Sequence, residues 1–251
     1  MILSSHLYCR DAKFCVSTFL LMICIVCASF TLKAQQGTER YSFCPSAPIA
    51  KDHEGNVYRT VQIGSQCWMA ENMRCTTSPT GQRWYSNPYF SASQPEYAAY
   101  YATPLDARHG ILYNWAAAMD LPAHQSHGKA VSGPVRGICP EGWRLPNNAD
   151  WDLLFNSLGG HRLAGEMMKA PSQMWDPYFS IRRENSGFDA VPAGAYTENQ
   201  HQYYGLQSFF WCAETFSRDQ AWCCILYDYK NDGYSYLEYK CYGHSVRCVK
   251  E

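Results

Sequence analysis

The chain lacks an excess of charge of either sign. Charged residues make up 17% of its 251 residues, and 21 basic against 22 acidic side chains leave a formal net charge of −1. Nucleic-acid-binding domains carry a basic face, and anionic membranes attract clusters of lysine and arginine. We therefore expect no nucleic-acid partner and no attachment to a membrane surface by charge. The aromatic content of 15% favours a packed core over a disordered chain.

A hydrophobic run long enough to span a bilayer is also missing. The apolar run over residues 16–30 has 15 residues, whereas a spanning helix takes about 20. Arg10 and Lys13 precede this run, and Ala34 follows it before a polar stretch. That layout is typical of a secretory signal peptide, with an uncleaved signal anchor as the alternative.

Cleavage near Ala34 would divide the chain into three parts. We expect a signal peptide over residues 1–34, a polar lead-in over residues 35–50 and a single domain over residues 51–251. The mature protein is then secreted, extracellular or held at the cell surface, and it keeps no membrane span once the signal peptide is removed.

Cysteine spacing typical of a zinc site is absent. The chain has 13 cysteines, of which nine lie outside the signal region: Cys44, Cys67, Cys75, Cys139, Cys212, Cys223, Cys224, Cys241 and Cys248. No C-x2-C pair among these nine has a matching second pair, so no structural zinc is expected. Disulfides are the default for cysteines of an exported protein. Since nine is odd, at least one thiol is expected to lack a partner within the chain.

Motifs of the common hydrolases are missing as well. The chain contains no G-x-S-x-G and no H-E-x-x-H, the motifs of serine hydrolases and zinc metalloproteases. Asp150 and Asp152 suit a helix start better than a pair of catalytic carboxylates. We therefore expect no catalytic residues, no cofactor and no metal. The alternative is a hard cation held by oxygen ligands of Asp228, Asp232 and Glu238.

Short strands and a few helix signals are what the sequence does contain. Alternating β-branched residues over 57–63, followed by Gly64 and Ser65, predict a hairpin with residues 66–70. Asn147 or Asn148 can cap a helix that runs to Leu158. Further short helices are predicted over residues 110–119 and 163–169, strands over 209–213, 221–229 and 245–250, and long loops over 76–108 and 120–137.

Six stretches also follow one another in the order of a known family. They are DHEGNVYRTVQIGSQCWMAENMR at 52–74, ILYNWAAA at 111–118, CPEGWRLPNNADW at 139–151, SGFDAVPAG at 186–194, WCAET at 211–215 and SVRCV at 245–249. Together they resemble the Fibrobacter succinogenes major paralogous domain family. The resemblance implies a C-type-lectin-like α+β fold, with small antiparallel sheets, two or three short helices and long loops, and with both termini near each other in one sheet. It implies no established activity.

The resemblance also implies one disulfide. A lectin-like fold places the turn before the capped helix beside the last strand, and each of these two elements carries a cysteine. A second bond would join the lead-in to the hairpin. The expected pairs are Cys139 with Cys248, Cys44 with Cys67, and Cys241 with either Cys212 or Cys223.

The binding surface of lectin-like folds is formed by variable loops after the second helix, which here means residues 171–210. Aromatic rings beside charged groups suit sugar rings and their hydroxyls. We therefore expect a non-catalytic recognition or adhesion domain whose partner is a glycan or a surface protein. The expected ligand-binding residues are Trp175, Asp176, Tyr178, Arg183, Tyr196, Tyr203 and Tyr204. The tyrosine-rich stretch over residues 84–101 is the alternative surface.

Two other functions are conceivable for a lectin-like domain. Calcium-dependent sugar binding is not expected, because the motifs EPN, QPD and WND are absent. Formylglycine-generating enzymes share the GWRLP-then-helix pattern and a cysteine near the end of the chain. An oxidoreductase with Cys241 and Cys248 as a redox pair is therefore the alternative function, although the GGSW motif and the Arg-rich strands of that family are missing.

Overall fold

Strands from both ends of the domain pair in one antiparallel sheet. The computed structural model describes residues 42–86, 98–102, 107–121, 133–171, 174–175 and 185–251. The strands of this sheet are β1 (Ile49–Lys51), β2 (Val57–Ile63), β3 (Gln66–Met69), β7 (Trp143–Arg144) and β13 (Val249–Lys250), in the order β1-β2-β3-β13-β7. Val249 pairs with Trp68 on one side and with Arg144 on the other. The two ends of the domain therefore meet, as the resemblance implies.

The predicted signal peptide and the first part of the lead-in, residues 35–41, lie outside the described residues. The division of the chain at residues 34 and 50 therefore stays a prediction. Among the described residues, no helix is both long and apolar enough to cross a membrane.

The hairpin predicted from the alternation is present as β2 and β3. Gly64 turns the chain with a φ of +56°, a conformation that glycine adopts without the steric cost of a side chain. Along β2, Tyr58 packs into one apolar cluster, and Val61 and Ile63 pack into another. The hairpin thus contributes to the core on both of its faces.

The capped helix is also present. The helices among the described residues are α1 (Trp115–Ala118), α2 (Asn148–Ser157) and α3 (His161–Met168), with a 3-10 turn at Ala107–His109. The Asn147 side chain accepts from the Asp150 N–H at 2.9 Å, and the Asp150 carboxylate accepts from the Asn147 N–H at 2.8 Å. This reciprocal capping box satisfies N–H groups that the first turn leaves unpaired. Arg144 fixes the same carboxylate with two hydrogen bonds of 2.5 and 2.8 Å.

A second antiparallel sheet divides the core. It consists of β10 (Gln207–Thr215), β11 (Gln220–Tyr227) and β12 (Gly233–Tyr239), in that order. Phe209 and Trp211 belong to the first apolar cluster, whereas Phe210 and Cys212 belong to the second. Strand β12 is not predicted from the sequence, because its tyrosines and polar residues carry no buried apolar alternation. Its exposed residues include Tyr236 and Tyr239.

Two small sheets complete the described fold and correct two predictions. They are β4 (Tyr85–Ser86), β5 (Ala99–Ala102) and β6 (Ile111–Tyr113), and the pair β8 (Ala195–Thr197) and β9 (Gln200–Gln202). The predicted loop over residues 76–108 thus contains strands, and the predicted helix over 110–119 begins as a strand. Asn114 causes that switch: its side chain accepts from the N–H of Ala117 in α1 and from that of Ala99 in β5.

A buried histidine lies beside the second sheet. His244 is fully buried; its ring stacks on Phe209 at a centroid distance of 4.8 Å and lies 4.4 Å from the ring of Trp211. Burial lowers the pKa of His244 to about 3, because the charged imidazolium would lose its hydration. The folded protein therefore holds this side chain neutral down to acidic pH.

We expect acid to weaken the fold through His244. Its pKa is lower in the folded protein than in the unfolded chain, where it is about 6.5, so the unfolded chain binds more protons as the pH falls. The stabilisation that neutral His244 contributes is fully present above pH 6.5 and is lost as the pH falls towards 3. Between pH 7 and pH 5 this loss lowers the free energy of unfolding by about 2 kcal/mol. Urea unfolding at both pH values should show a smaller acid loss for His244→Phe than for the wild type.

The difference in acid loss between the wild type and His244→Phe reports the contribution of His244 alone. Burial raises the pKa of Glu238 to about 7. That shift has the opposite sign, and its stabilising effect is lost as the pH rises from 4.5 towards 7, but Glu238 is present in both proteins. His161→Gln serves as the control, since the side chain of His161 is half exposed. An acid loss that is the same in His244→Phe as in the wild type would contradict the prediction.

Candidate functional site

Two disulfides join the first and last segments of the domain to its interior elements. Cys139–Cys248, with a sequence separation of 109, ties the turn before α2 to the end of the chain. Cys44–Cys67, with a separation of 23, ties the lead-in to β3. These are the first two of the expected pairs, and both lie far from the residues 171–210 in sequence.

The third expected pair is wrong. Cys212, Cys223 and Cys241 all have free thiols. Cys212 packs in the second cluster, with its Sγ 3.6 Å from the Asn148 Oδ1 at the start of α2. Cys223 faces the first cluster. Cys241 follows the end of β12, in the turn that leads the chain to Gly243 and its pairing with Tyr196. Different neighbours thus surround each of these thiols.

The redox pair of the alternative function is absent as well. Cys248 is bonded to Cys139 and therefore does not pair with Cys241. Burial raises the pKa of the Cys241 thiol to about 11, whereas a reactive cysteine is a thiolate. In the described part of the chain, no three His, Cys, Asp or Glu side chains are grouped to hold a metal ion, so Asp228, Asp232 and Glu238 do not gather into a cation site.

Trp175 is a core residue and not a ligand contact. Its side chain is fully buried in the second cluster, and its indole N–H donates to the Ala190 carbonyl at 2.9 Å. The Lys169 ammonium lies 5.3 Å from the ring centre. A surface aromatic and a core aromatic have the same sequence signal, which explains the error. Asp176, Tyr178 and Arg183 lie outside the described residues.

The three tyrosines of the predicted surface differ in exposure. Tyr196 is half-buried because its ring stacks on Tyr101 at 3.9 Å. Tyr203 and Tyr204 each expose 43% of their surface. The ring of Tyr204 lies 5.2 Å from His109, at the end of the 3-10 turn. Two of the seven predicted residues are therefore both described and exposed, and they follow β9 directly.

A cleft of about 240 Å³ opens at the beginning of the predicted region. Its apolar wall includes Pro171, Met174 and Val191. The remaining lining is polar, and we call the whole the charged cleft. Its polar residues are Arg59, Glu71, Arg108, Asn185, Asp189 and Arg247. The predicted region thus supplies part of one wall and two polar groups, while the other charges come from distant parts of the chain.

Hydrogen bonds and ion pairs fix the rim of the charged cleft. Arg59 Nη1 lies 3.2 Å from the Asp189 carboxylate, and Arg59 Nε lies 3.7 Å from Glu71. The Asn185 side chain donates to the other oxygen of Asp189 at 2.7 Å. Asp189 has a φ of +53°, a conformation uncommon for residues with a side chain. The hydrogen bond from Asn185 and the ion pair with Arg59 thus fix the position of the Asp189 carboxylate.

Arg247 forms the buried base of the charged cleft. It donates to the Asn72 Oδ1 at 2.7 Å, to the Asp189 carbonyl at 2.8 Å and to the Phe188 carbonyl. Its guanidinium lies over the Phe188 ring, 4.5 Å from the ring centre. Burial lowers the pKa of Arg247 to about 9, so the group stays charged at neutral pH. The nearby carboxylates of Asp189 and Glu71 partly oppose this lowering of the pKa.

The charged groups that line the charged cleft favour an acidic ligand. Three guanidinium groups line it against two carboxylates, which leaves one net positive charge. Guanidinium groups bind carboxylate, sulfate and phosphate groups with paired hydrogen bonds. Asn185 and Glu71 add a polar donor and an acceptor for hydroxyl groups. No local signal in the sequence identifies Arg59, Arg108 or Arg247 as site residues, although Arg247 stands in the stretch SVRCV.

The residues that converge on Arg247 come from three of the family-like stretches. Asn72 belongs to the first stretch, Phe188 and Asp189 to SGFDAVPAG, and Arg247 to SVRCV. The model of the Fibrobacter succinogenes major domain matches residues 61–250, which is most of the chain. The chain belongs to this family. No curated protein and no solved structure matches it.

Other shared stretches of the Fibrobacter succinogenes major domain are joined in the same way. The Trp211 indole N–H donates to the Tyr113 carbonyl at 2.7 Å, and the Trp115 indole N–H donates to the Cys212 carbonyl at 3.1 Å. These bonds connect WCAET with ILYNWAAA. The stretches that carry the resemblance thus serve as the scaffold of the fold. Membership of this family assigns no activity, so a function has to be inferred from the surface of this chain.

Proposed function

We propose that this chain is a non-catalytic recognition domain that works outside the cell, either released or held at the surface. The observation that carries the proposal is the charged cleft, which opens beside the loop region where lectin-like folds bind their ligands. Its volume of about 240 Å³ admits one charged group with part of its carrier. The ligand is a glycan or a surface protein that presents an acidic group.

An extracellular site of action is supported by the cysteines and the N-terminal sequence. Disulfides persist in oxidising compartments and are rare in the cytosol, and this fold contains Cys139–Cys248 and Cys44–Cys67. The apolar run over residues 16–30 provides the expected export signal. Both features are consistent with a secreted domain.

Exposed aromatic rings extend the proposed contact surface beyond the charged cleft. Tyr204 packs against His109, which adjoins Arg108 of the cleft lining. A side chain at Gly205 would lie 3.8 Å from the Met174 carbonyl, so the segment after Tyr204 borders the same wall. Tyrosine combines a large apolar face with a hydroxyl and is common at binding surfaces. A ligand held by the arginines would therefore meet these rings.

The test is a glycan array with the mature protein and the double variant Arg59→Gln, Arg108→Gln. We expect the wild type to bind glycans that carry uronic acid or sulfate, and the double variant to lose at least tenfold in affinity, since it lacks two of the three guanidinium groups that line the charged cleft. Arg218→Gln is the control, because Arg218 is highly exposed and does not line the charged cleft. Unchanged binding by the double variant would refute the proposed site.

A further inference from the structure

A second and larger cavity lies between the helices and the β11–β12 hairpin. It has a volume of about 540 Å³, within the range typical of small-molecule sites. Its walls come from the first turns of α2 and α3 and from the hairpin, and it shares no residue with the charged cleft. We call it the tryptophan pocket. The lining residues that can contact a ligand through a ring, a charge or a hydroxyl are Asp152, His161, Arg162, Trp222, Asp232 and Ser235.

Close backbone contacts fix the walls of the tryptophan pocket relative to each other. A Cβ atom at Gly165 of α3 would lie 2.2 Å from the Asp232 carbonyl oxygen, and one at Gly233 would lie 2.7 Å from the Phe155 ring. The Glu166 N–H donates to the Asn231 carbonyl at 3.0 Å. The helix and the turn therefore lie directly against each other. A site preformed in this way avoids the entropy cost of ordering on binding.

Trp222 supplies an aromatic surface to this pocket. Its ring is half-buried and packs against the second cluster on one side, and it makes an edge contact with Phe216 at 6.0 Å. The neighbouring Ala221 and Cys223 face the opposite cluster. A ring anchored on the core loses little freedom when a ligand covers its exposed part. Flat apolar surface of this kind suits the C–H face of a sugar ring.

Polar groups around Trp222 are placed for a ligand rich in hydroxyls. Asp152 and His161 lie 3.5 Å apart, and each exposes more than half of its side chain. Asp232 accepts a hydrogen bond from the Tyr234 hydroxyl, which fixes its carboxylate at the edge of the pocket. Carboxylates accept from hydroxyls, and Arg162 and Ser235 offer donors. Saccharides present both kinds of partner.

The charge of the tryptophan pocket selects against acidic ligands. Two carboxylates, those of Asp152 and Asp232, outnumber the single guanidinium of Arg162. A phosphate, sulfate or uronic acid would meet net negative charge here, unlike in the charged cleft. From the aromatic surface, the hydroxyl partners and this charge, we propose that the tryptophan pocket binds an uncharged saccharide. This is a second binding site, independent of the proposed function.

The experiment measures binding of neutral oligosaccharides by the mature protein in titration calorimetry, with cello-, xylo-, manno- and malto-oligosaccharides as probes and polygalacturonate as the acidic probe. We expect at least one neutral probe to bind, and Trp222→Ala to weaken that binding at least tenfold. Tyr236→Ala is the matched control. Tyr236 is an exposed aromatic residue of β12 that pairs with Cys223, and it lies on the other face of the hairpin from Trp222.

A second variant covers the case in which Trp222→Ala does not fold. Arg162→Gln changes an exposed residue at the start of α3, and it should weaken binding of the neutral probe severalfold with unchanged thermal unfolding. Arg59→Gln with Arg108→Gln should leave the neutral probe unaffected, which separates this site from the charged cleft. The proposal is overturned if no neutral probe binds, or if folded Trp222→Ala or Arg162→Gln binds it as the wild type does.

Discussion

Removal of the Cys139–Cys248 disulfide is expected to lower the free energy of unfolding by about 5 kcal/mol. The bond closes a loop with a sequence separation of 109, and the chain-entropy model assigns that much to constraining so long a loop in the unfolded chain. Both cysteines are buried in the first cluster, so alanine is the suitable replacement. Denaturant unfolding of the wild type and of Cys139→Ala, Cys248→Ala measures the difference.

The other disulfide provides the comparison for this prediction. Cys44–Cys67 has a separation of 23, for which the same model gives about 3 kcal/mol. We therefore expect Cys44→Ala, Cys67→Ala to be less destabilised than the first double variant. Equal losses would argue against loop entropy as the cause. An unfolding free energy unchanged by removal of Cys139–Cys248 would contradict the role of this bond in joining the end of the chain to the fold.

Replacement of Arg247 by methionine is expected to destabilise the protein by about 3 kcal/mol or more. Methionine leaves the Asn72 side-chain oxygen and the carbonyls of Phe188 and Asp189 without their donor, and each unsatisfied buried acceptor costs about 1–3 kcal/mol. Burying the guanidinium is itself costly, as its lowered pKa of about 9 indicates. Methionine removes that cost, which offsets part of the loss in stability. The three acceptors nevertheless face an apolar side chain and stay without a donor.

Two variants make the Arg247 prediction specific. Arg247→Lys keeps the charge, but a single ammonium does not match the fork of donors that reaches three acceptors, so we expect an intermediate loss. Arg59→Gln removes two ion pairs whose arginine is 56% exposed, and an exposed pair contributes about 1 kcal/mol or less. Urea unfolding of the three variants ranks them. If Arg247→Met unfolded at the same urea concentration as Arg59→Gln, the hydrogen bonds of Arg247 would make no net contribution to stability.

The secondary structure was predictable where its signals are local. The Asn147 cap and the Asp150 carboxylate are three residues apart, and the β2–β3 hairpin turns within two residues. The failures also have local causes. Residues 110–119 carry good helix formers, yet Asn114 caps a helix that begins only at Trp115, because the preceding residues pair with β5. Strand β12 was missed since one of its faces is largely exposed.

The binding surfaces were predictable only in part. The region 171–210 does contribute to the charged cleft through residues such as Asn185 and Asp189. However, Trp175 is fully buried, and no feature of the residues around it distinguishes a core tryptophan from an exposed one. The tryptophan pocket was missed altogether, because its parts lie in α2, α3 and the β11–β12 hairpin, and each of these has an ordinary structural explanation in the sequence.

The sequence by itself determined the family, the α+β class, the capped helix, the first hairpin and two disulfide pairs. Those features depend on neighbouring residues or on stretches shared with the family. Only the tertiary structure decided which side chains meet: Arg247 contacts Asn72 across 175 positions and the Asp189 carbonyl across 58. The physical reason is that burial and electrostatic partnership arise from packing between distant elements, and no local pattern along the chain encodes which elements become neighbours.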